Sequence, residues 1–109
     1  MIIREWRGRA SHDLAGAYPE HFHRSVLPEL QHIPGFLGAT LSRRDDSGRI
    51  EYLVLTRWRS LEAIRAFAGA EIEKAVVEPG AVAALTDFDD FVRHYEVVED
   101  AAVNSIAAP

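Results

Sequence analysis

The chain reads as an α+β domain of the ferredoxin-like kind, βαββαβ, with a four-stranded antiparallel sheet and both helices on one of its faces. Three observations predict this. Residues 50–70, IEYLVLTRWRSLEAIRAFAGA, pass directly from strand spacing to helical spacing. Just before them, FLGATLSRR is followed by Asp45-Asp46-Ser47-Gly48, turn residues that join two strands into a hairpin. The outermost segments, IIREWRGR at residues 2–9 and FDDFVRHYEVV at residues 88–98, carry strand-like spacing at either end of the domain.

In the first strand Ile2, Ile3 and Trp6 are interrupted by Arg4 and Arg7, which blur the alternation. Ser11 stands where an N-cap belongs, before a helix in which Leu14, Tyr18, Phe22 and Ser25 or Val26 recur every three or four residues. Pro19 and Pro28 each remove an amide donor, so this helix is expected in two pieces; Leu27, Leu30 and Ile33 line the second, and Pro34-Gly35 closes it. In the second strand Gly38 permits close approach of another backbone or a ligand.

The third strand, from Arg49, sets Ile50, Tyr52, Val54, Thr56 and Trp58 on one face and Leu53 and Leu55 on the other. Both faces are apolar at the centre. Such a strand must be covered twice, by helices on one side and by a partner subunit on the other, so a homodimer is expected. Ser60 is the N-cap of the next helix, with Glu62 in its first turn, Leu61, Ile64, Phe67 and Ala68 at helical spacing, and Gly69 as its stop. Beyond it Ile72, Ala75 and Val76 suggest a further turn, Pro79-Gly80 interrupts, and Ala81 to Leu85 form a short helical turn. Residues 1–98 make the domain; residues 99–109 are read as a tail, loose or lying on a partner.

Composition narrows the function. With 109 residues, 48% of them hydrophobic and 27% charged, and a net charge of −5, the chain is one globular domain and not a basic nucleic-acid binder. No apolar run is long enough to span a bilayer, and MIIREWRGRA lacks the apolar core of a signal peptide, so no membrane association and a cytoplasmic location are expected. The absence of cysteine excludes disulfides, thiolate nucleophiles, iron–sulfur clusters and cysteine-based zinc sites. Chemistry is left to His, Tyr, Trp, Arg and carboxylates.

The segments LPELQHIPGFLGATLSRR, EYLVLTRWRSLEAIRAFAG and VRHYEV resemble the antibiotic biosynthesis monooxygenase domain family, within the wider group of dimeric α+β barrels. The resemblance implies a homodimeric barrel with one pocket per subunit, between helices and sheet. In the quinone-forming members oxygen is added to an electron-rich aromatic substrate without metal or flavin. No cofactor is then expected, and the ligand is a small aromatic or polyketide-type molecule. Such a reaction needs a pocket that excludes water and a group that removes a proton, after which the substrate anion reduces oxygen itself. The haem-degrading branch uses an Asn on the first strand, a Trp at a strand end and a His on the following helix. Trp58 matches that Trp, but residues 2–9 hold no Asn and residues 59–70 no His, so haem degradation is not expected.

His94 is the first candidate base, since imidazole titrates near neutrality and Val92 beside it suggests a partly buried setting; its structural reading is a histidine bonded to a backbone carbonyl. His21 is the other candidate, three residues from Tyr18 on one helix face. Tyr18, Phe22, Trp58 and Phe67 are the candidate substrate contacts, each equally readable as core. His21 and His23 form an H-x-H pair that diverges on a helix and lacks a third ligand, so no metal is expected. The reading from a different class is a binding module with the same pocket and no turnover; a purely structural dimerisation domain is a third.

Overall fold

A computed structural model of the protein describes residues 1–102. The elements are β1 (Ile2–Ser11), α1 (Ala17–His21), α2 (Leu27–Leu30), β2 (Phe36–Asp46), β3 (Arg49–Trp58), α3 (Leu61–Ala68), α4 (Pro79–Ala84), β4 (Asp87–Phe88) and β5 (Arg93–Glu96). A 3-10 turn at His12–Leu14 precedes α1.

β1 and β3 form the antiparallel centre, in register from Ile2 opposite Trp58 to Ser11 opposite Arg49. β2 pairs with the outer side of β3 through a two-residue turn in which Ser47 (φ 51°) and Gly48 (φ 85°) both take positive φ, the conformation that matches the twist of a tight hairpin. A bulge between Phe36 and Gly38 shifts the register, and the missing side chain of Gly38 leaves room for the Arg57 guanidinium. The close approach expected at Gly38 is thus made by an arginine side chain.

α3 starts and stops as its sequence predicts. Ser60 Oγ accepts from the Ala63 amide at 3.3 Å, and Gly69, at φ 81°, ends the helix. Ser11, by contrast, makes no capping bond. Pro19 falls in the first turn of α1, where a missing amide costs little. Between α1 and α2 the backbone widens into a π turn at Phe22–Val26, where the Leu27 amide donates to Phe22 O, one residue further than in an α-helix. Pro28 follows at the start of α2. The two proline-separated pieces therefore stay joined as one helical run through a wide turn.

Two expectations are corrected. The sheet has five strands, because the last alternating segment is broken. β4 pairs with Gly8 and Arg9, and β5 with Ile2 to Glu5, both along the same edge of β1. Between them the chain turns aside to bond the α3–α4 connection, with Ala75 N donating to Asp90 O and Val92 N to Glu73 O, each at 2.8–2.9 Å. Trp6 Nε1 donates to Asp89 O at 2.8 Å and holds the detour in place. The second correction concerns closure. The sheet is open, in the order β2-β3-β1-β4 with β5 also on β1, and is not closed into an α+β barrel. β4 and β5 share one edge of β1 and β2 has only β3 as a neighbour, so no pairing joins the two edges.

The helices cover one face. Ala10, Ile50, Tyr52 and Val54 pack there with Tyr18, Phe22, Ala81, Ala84 and Leu85, and a second cluster holds Leu30, Trp58 and Ile64. The Tyr52 hydroxyl, buried, donates to Ala15 O. The opposite face is less apolar than the sequence suggests. Leu53 and Leu55 are only half-buried, and Glu5, Arg7, Arg9, Glu51, Asp87 and Asp89 form ion pairs beside them. No helix among the described residues is long and apolar enough to cross a membrane.

Candidate functional site

Between the helices and the covered face of the sheet lies a cavity of about 60 Å³. Arg4 and Trp6 of β1 and Val54 and Thr56 of β3 form its floor. Tyr18, His21, Val26 and Leu30 line it from α1 to α2, Phe67 from α3, and Val76, Glu78 and Ala81 from the α3–α4 connection and α4. Alternation along β1 and β3 accounts for the floor, since Arg4 sits opposite Thr56 and Trp6 opposite Val54.

Of the candidates named from the sequence, Tyr18, His21 and Phe67 meet at this cavity. Tyr18 is 3% exposed; burial, and then the negative charge of Glu78, push its hydroxyl well above the usual range, so it is a neutral phenol. His21 Nε2 is buried and is the one buried side-chain nitrogen or oxygen among the described residues without a hydrogen-bond partner. Its ring packs against Gly80, where an added Cβ would lie 2.6 Å from Nδ1.

Trp58 and Phe22 do not line the cavity. Trp58, fully buried, stacks on Phe67 at 5.7 Å between ring centroids, meets Phe36 edge-on at 5.4 Å, and donates from its indole to Thr56 Oγ1 at 2.8 Å. It backs two of the cavity's walls. Phe22 packs beside Tyr18 in the main core. His94 lies apart from His21, in an open groove with Glu73, Phe91, Arg93 and Tyr95. Its Nε2 is 2.9 Å from Arg4 Nη1. A guanidinium only donates, so Nε2 is the acceptor and His94 is a neutral imidazole carrying its proton on Nδ1. Burial first, then the charge of Arg4, lower its pKa below the usual 6.5, against an opposing pull from Glu73.

The residue that sequence reasoning passed over is Arg4. It is 5% exposed, and besides His94 it donates to Ile72 O at 2.5 Å and Lys74 O at 2.9 Å, while its Cζ lies 5.8 Å from the Phe67 ring centre. In the sequence it only blurs the alternation of β1. The signal was its phase: Ile2, Arg4, Trp6, Gly8 and Ala10 share the covered face, so an arginine there is a buried cation. No group of three His, Asp or Glu side chains converges as a metal site among the described residues.

The profile of the antibiotic biosynthesis monooxygenases matches residues 1–79. No curated protein gives a sequence match. Among solved structures, one assigned to the antibiotic biosynthesis monooxygenases from Deinococcus radiodurans aligns with a TM-score of 0.64 at 19% identity, over 96% of this chain and 100% of that one. A haem-degrading protein from Mycobacterium tuberculosis, with two haems bound in its active site, aligns with a TM-score of 0.57 at 28% identity, over 94% and 100%. A Streptomyces coelicolor monooxygenase in complex with nanaomycin D aligns with a TM-score of 0.60 at 17% identity, over 95% and 92%. The likeness below 25% identity speaks for the fold; the profile match, over most of the length, goes further, and the chain belongs to the antibiotic biosynthesis monooxygenase family.

Proposed function

We propose that the cavity is the site at which a small aromatic or polyketide-type substrate is oxidised by O2, with no bound cofactor and with His21 as the proton acceptor. The observation that carries this reading is the buried, unpartnered Nε2 of His21 on the cavity wall. A buried polar atom without a partner is costly, and a substrate C–H or O–H acid supplies the missing partner. For an activated CH2 carbon, the proton passes to His21 and the carbanion transfers one electron to O2. The radical pair combines to a C–O–O⁻ group, the imidazolium returns a proton, and loss of water leaves C=O. One oxygen atom ends in the product and one in water, so CH2 and O2 balance CO and H2O. Neutral Tyr18 can donate to a substrate oxygen, and Phe67, backed by Trp58, gives the ring an apolar wall. His94 is the weaker candidate, because its Nε2 lone pair already accepts from Arg4.

A cavity of about 60 Å³ is smaller than the roughly 150 Å³ that accommodates benzene, so binding has to displace part of the wall. The stretch bearing Val76, Glu78 and Ala81 is that part, since apart from Val92 in the detour between β4 and β5 the other lining residues belong to the sheet and to the helical run from α1 to α3. This closed state also favours a second reading, a binding module that closes on a ligand without turnover. The haem chemistry of the Mycobacterium tuberculosis protein fits less well, because α3 carries no His and β1 no Asn.

Oxygen uptake with a panel of phenols and anthrones tests the reading. His21→Ala should lower kcat by about 10²- to 10⁴-fold in a folded protein, while His94→Ala retains turnover. Full turnover in His21→Ala would rule His21 out as the base. Thermal stabilisation by an aromatic without oxygen uptake would select the binding module.

A further inference from the structure

Among the described residues Arg4 is a buried cation without an anion. No carboxylate lies within salt-bridge distance of its guanidinium among the described residues, and its partners there are two backbone carbonyls and a neutral imidazole. Those three bonds use three of its five N–H donors. The two that remain belong to a side chain that lines the cavity. Desolvation lowers Arg4 to about 10, the expected response of a buried cation, yet at neutral pH it stays charged.

Burying a charge without a counter-charge is expensive, and structures that keep one pair it. Among the described residues no such pair is supplied. Glu78, the acidic residue on the cavity wall, is not within ion-pair distance of Arg4. The planar fork of an arginine matches a carboxylate or other organic oxyanion in two parallel hydrogen bonds. His21 stands on the same cavity with an unsatisfied Nε2.

We infer that the ligand of this cavity is a small organic anion whose carboxylate or enolate oxygen pairs with Arg4, while an acidic C–H or O–H of the same molecule faces His21. The inference rests on the reading of the cavity as the ligand site, and it names the charge that the substrate class must carry. Arg4 then also stabilises the anion formed when His21 takes its proton.

The test is calorimetric binding to the full-length protein at pH 7.5, using the isosteric pair salicylate and salicylamide and the neutral phenol resorcinol. Salicylate should bind about 10- to 100-fold more tightly than salicylamide, as expected of hydrogen bonds to a charged group. Arg4→Gln should abolish that preference, Arg4→Lys should keep part of it, and Arg57→Gln, on the open face, should leave it intact. The comparison of isosteres uses wild-type protein and so survives a variant that does not fold. Equal affinity for salicylate and salicylamide, or a preference unchanged in a folded Arg4→Gln, overturns the inference. Binding of resorcinol alone overturns the anion and leaves the cavity reading standing. Binding of none of the three overturns both. A preference that depends on Arg4 supports the inference whatever oxygen uptake shows.

Discussion

At the scale of single residues, the Arg4–His94 contact makes a statement about pH. His94 is bonded as a neutral imidazole, and burial and Arg4 hold its folded pKa below the 6.5 of the free side chain. Above pH 6.5 the histidine is neutral in both the folded and the unfolded chain and its contribution is complete. As pH falls below 6.5 the unfolded chain takes the proton first, so stability declines until the lower, folded pKa has been passed. Urea midpoints at pH 7.5 and 5.5 check this: wild type should lose stability between them, and His94→Gln should lose less. The negative charge of Glu73 opposes this shift and softens the effect, and Glu73→Gln should enlarge it. Nothing in the sequence announced this pair, because residues 4 and 94 meet only through the β1–β5 register. His94 was recognisable as a titrating group, but its hydrogen-bonding partner, and therefore its protonation state, depended on a strand pairing that begins only after the detour at Asp89.

At the scale of elements, legibility followed how local the determinants are. The β2–β3 hairpin and α3 are specified by residues within a turn of their own ends: Ser47-Gly48 for the reversal, Ser60 and Gly69 for the caps. The break between β4 and β5 is not local. FDDFVRHYEVV carries no Gly or Pro to mark a break, and what divides it is the bonding of residues 90 and 92 to the α3–α4 connection, a competitor invisible to periodicity. The same non-local packing joins α1 to α4, where the backbone at Gly80 lies against the His21 ring. Adding a methyl group there forces either α4 or the imidazole to shift. Gly80→Ala should therefore cost about 1–3 kcal/mol of stability in the wild-type background. In His21→Ala the ring is gone and the same substitution should cost about 0.5 kcal/mol or less, a coupling that a double-mutant cycle by urea denaturation reads directly. Additive losses would mean that α4 does not depend on the imidazole for its position.

At the scale of the whole molecule, the open face of the sheet is where sequence and structure diverge most. Alternation in β3 correctly marked Leu53 and Leu55 as facing away from the helices, and from that a second covering layer followed. It could not show that the neighbours across the register are Arg7 and Glu5, which dilute the apolar surface with ion pairs. Leu53 and Leu55 occupy the middle of this face, Ile3 sits opposite Tyr95 toward one end, and Arg9 with Asp87 and Asp89 forms the other. Tyr95 is 46% exposed in the single chain, a large aromatic surface for a domain this small. We propose that a second copy covers this mosaic, the leucines and Tyr95 supplying the buried centre and the ion pairs the wet rim that interfaces of standard size carry. Sedimentation at micromolar concentration should then give twice the 12.2 kDa of the chain. Leu55→Lys should return it to one chain, because a lysine opposite Glu5 is accommodated within the single sheet but not beneath a second copy. Wild type sedimenting as one chain would leave the open face to solvent, and Leu55→Lys still pairing would place the contact elsewhere.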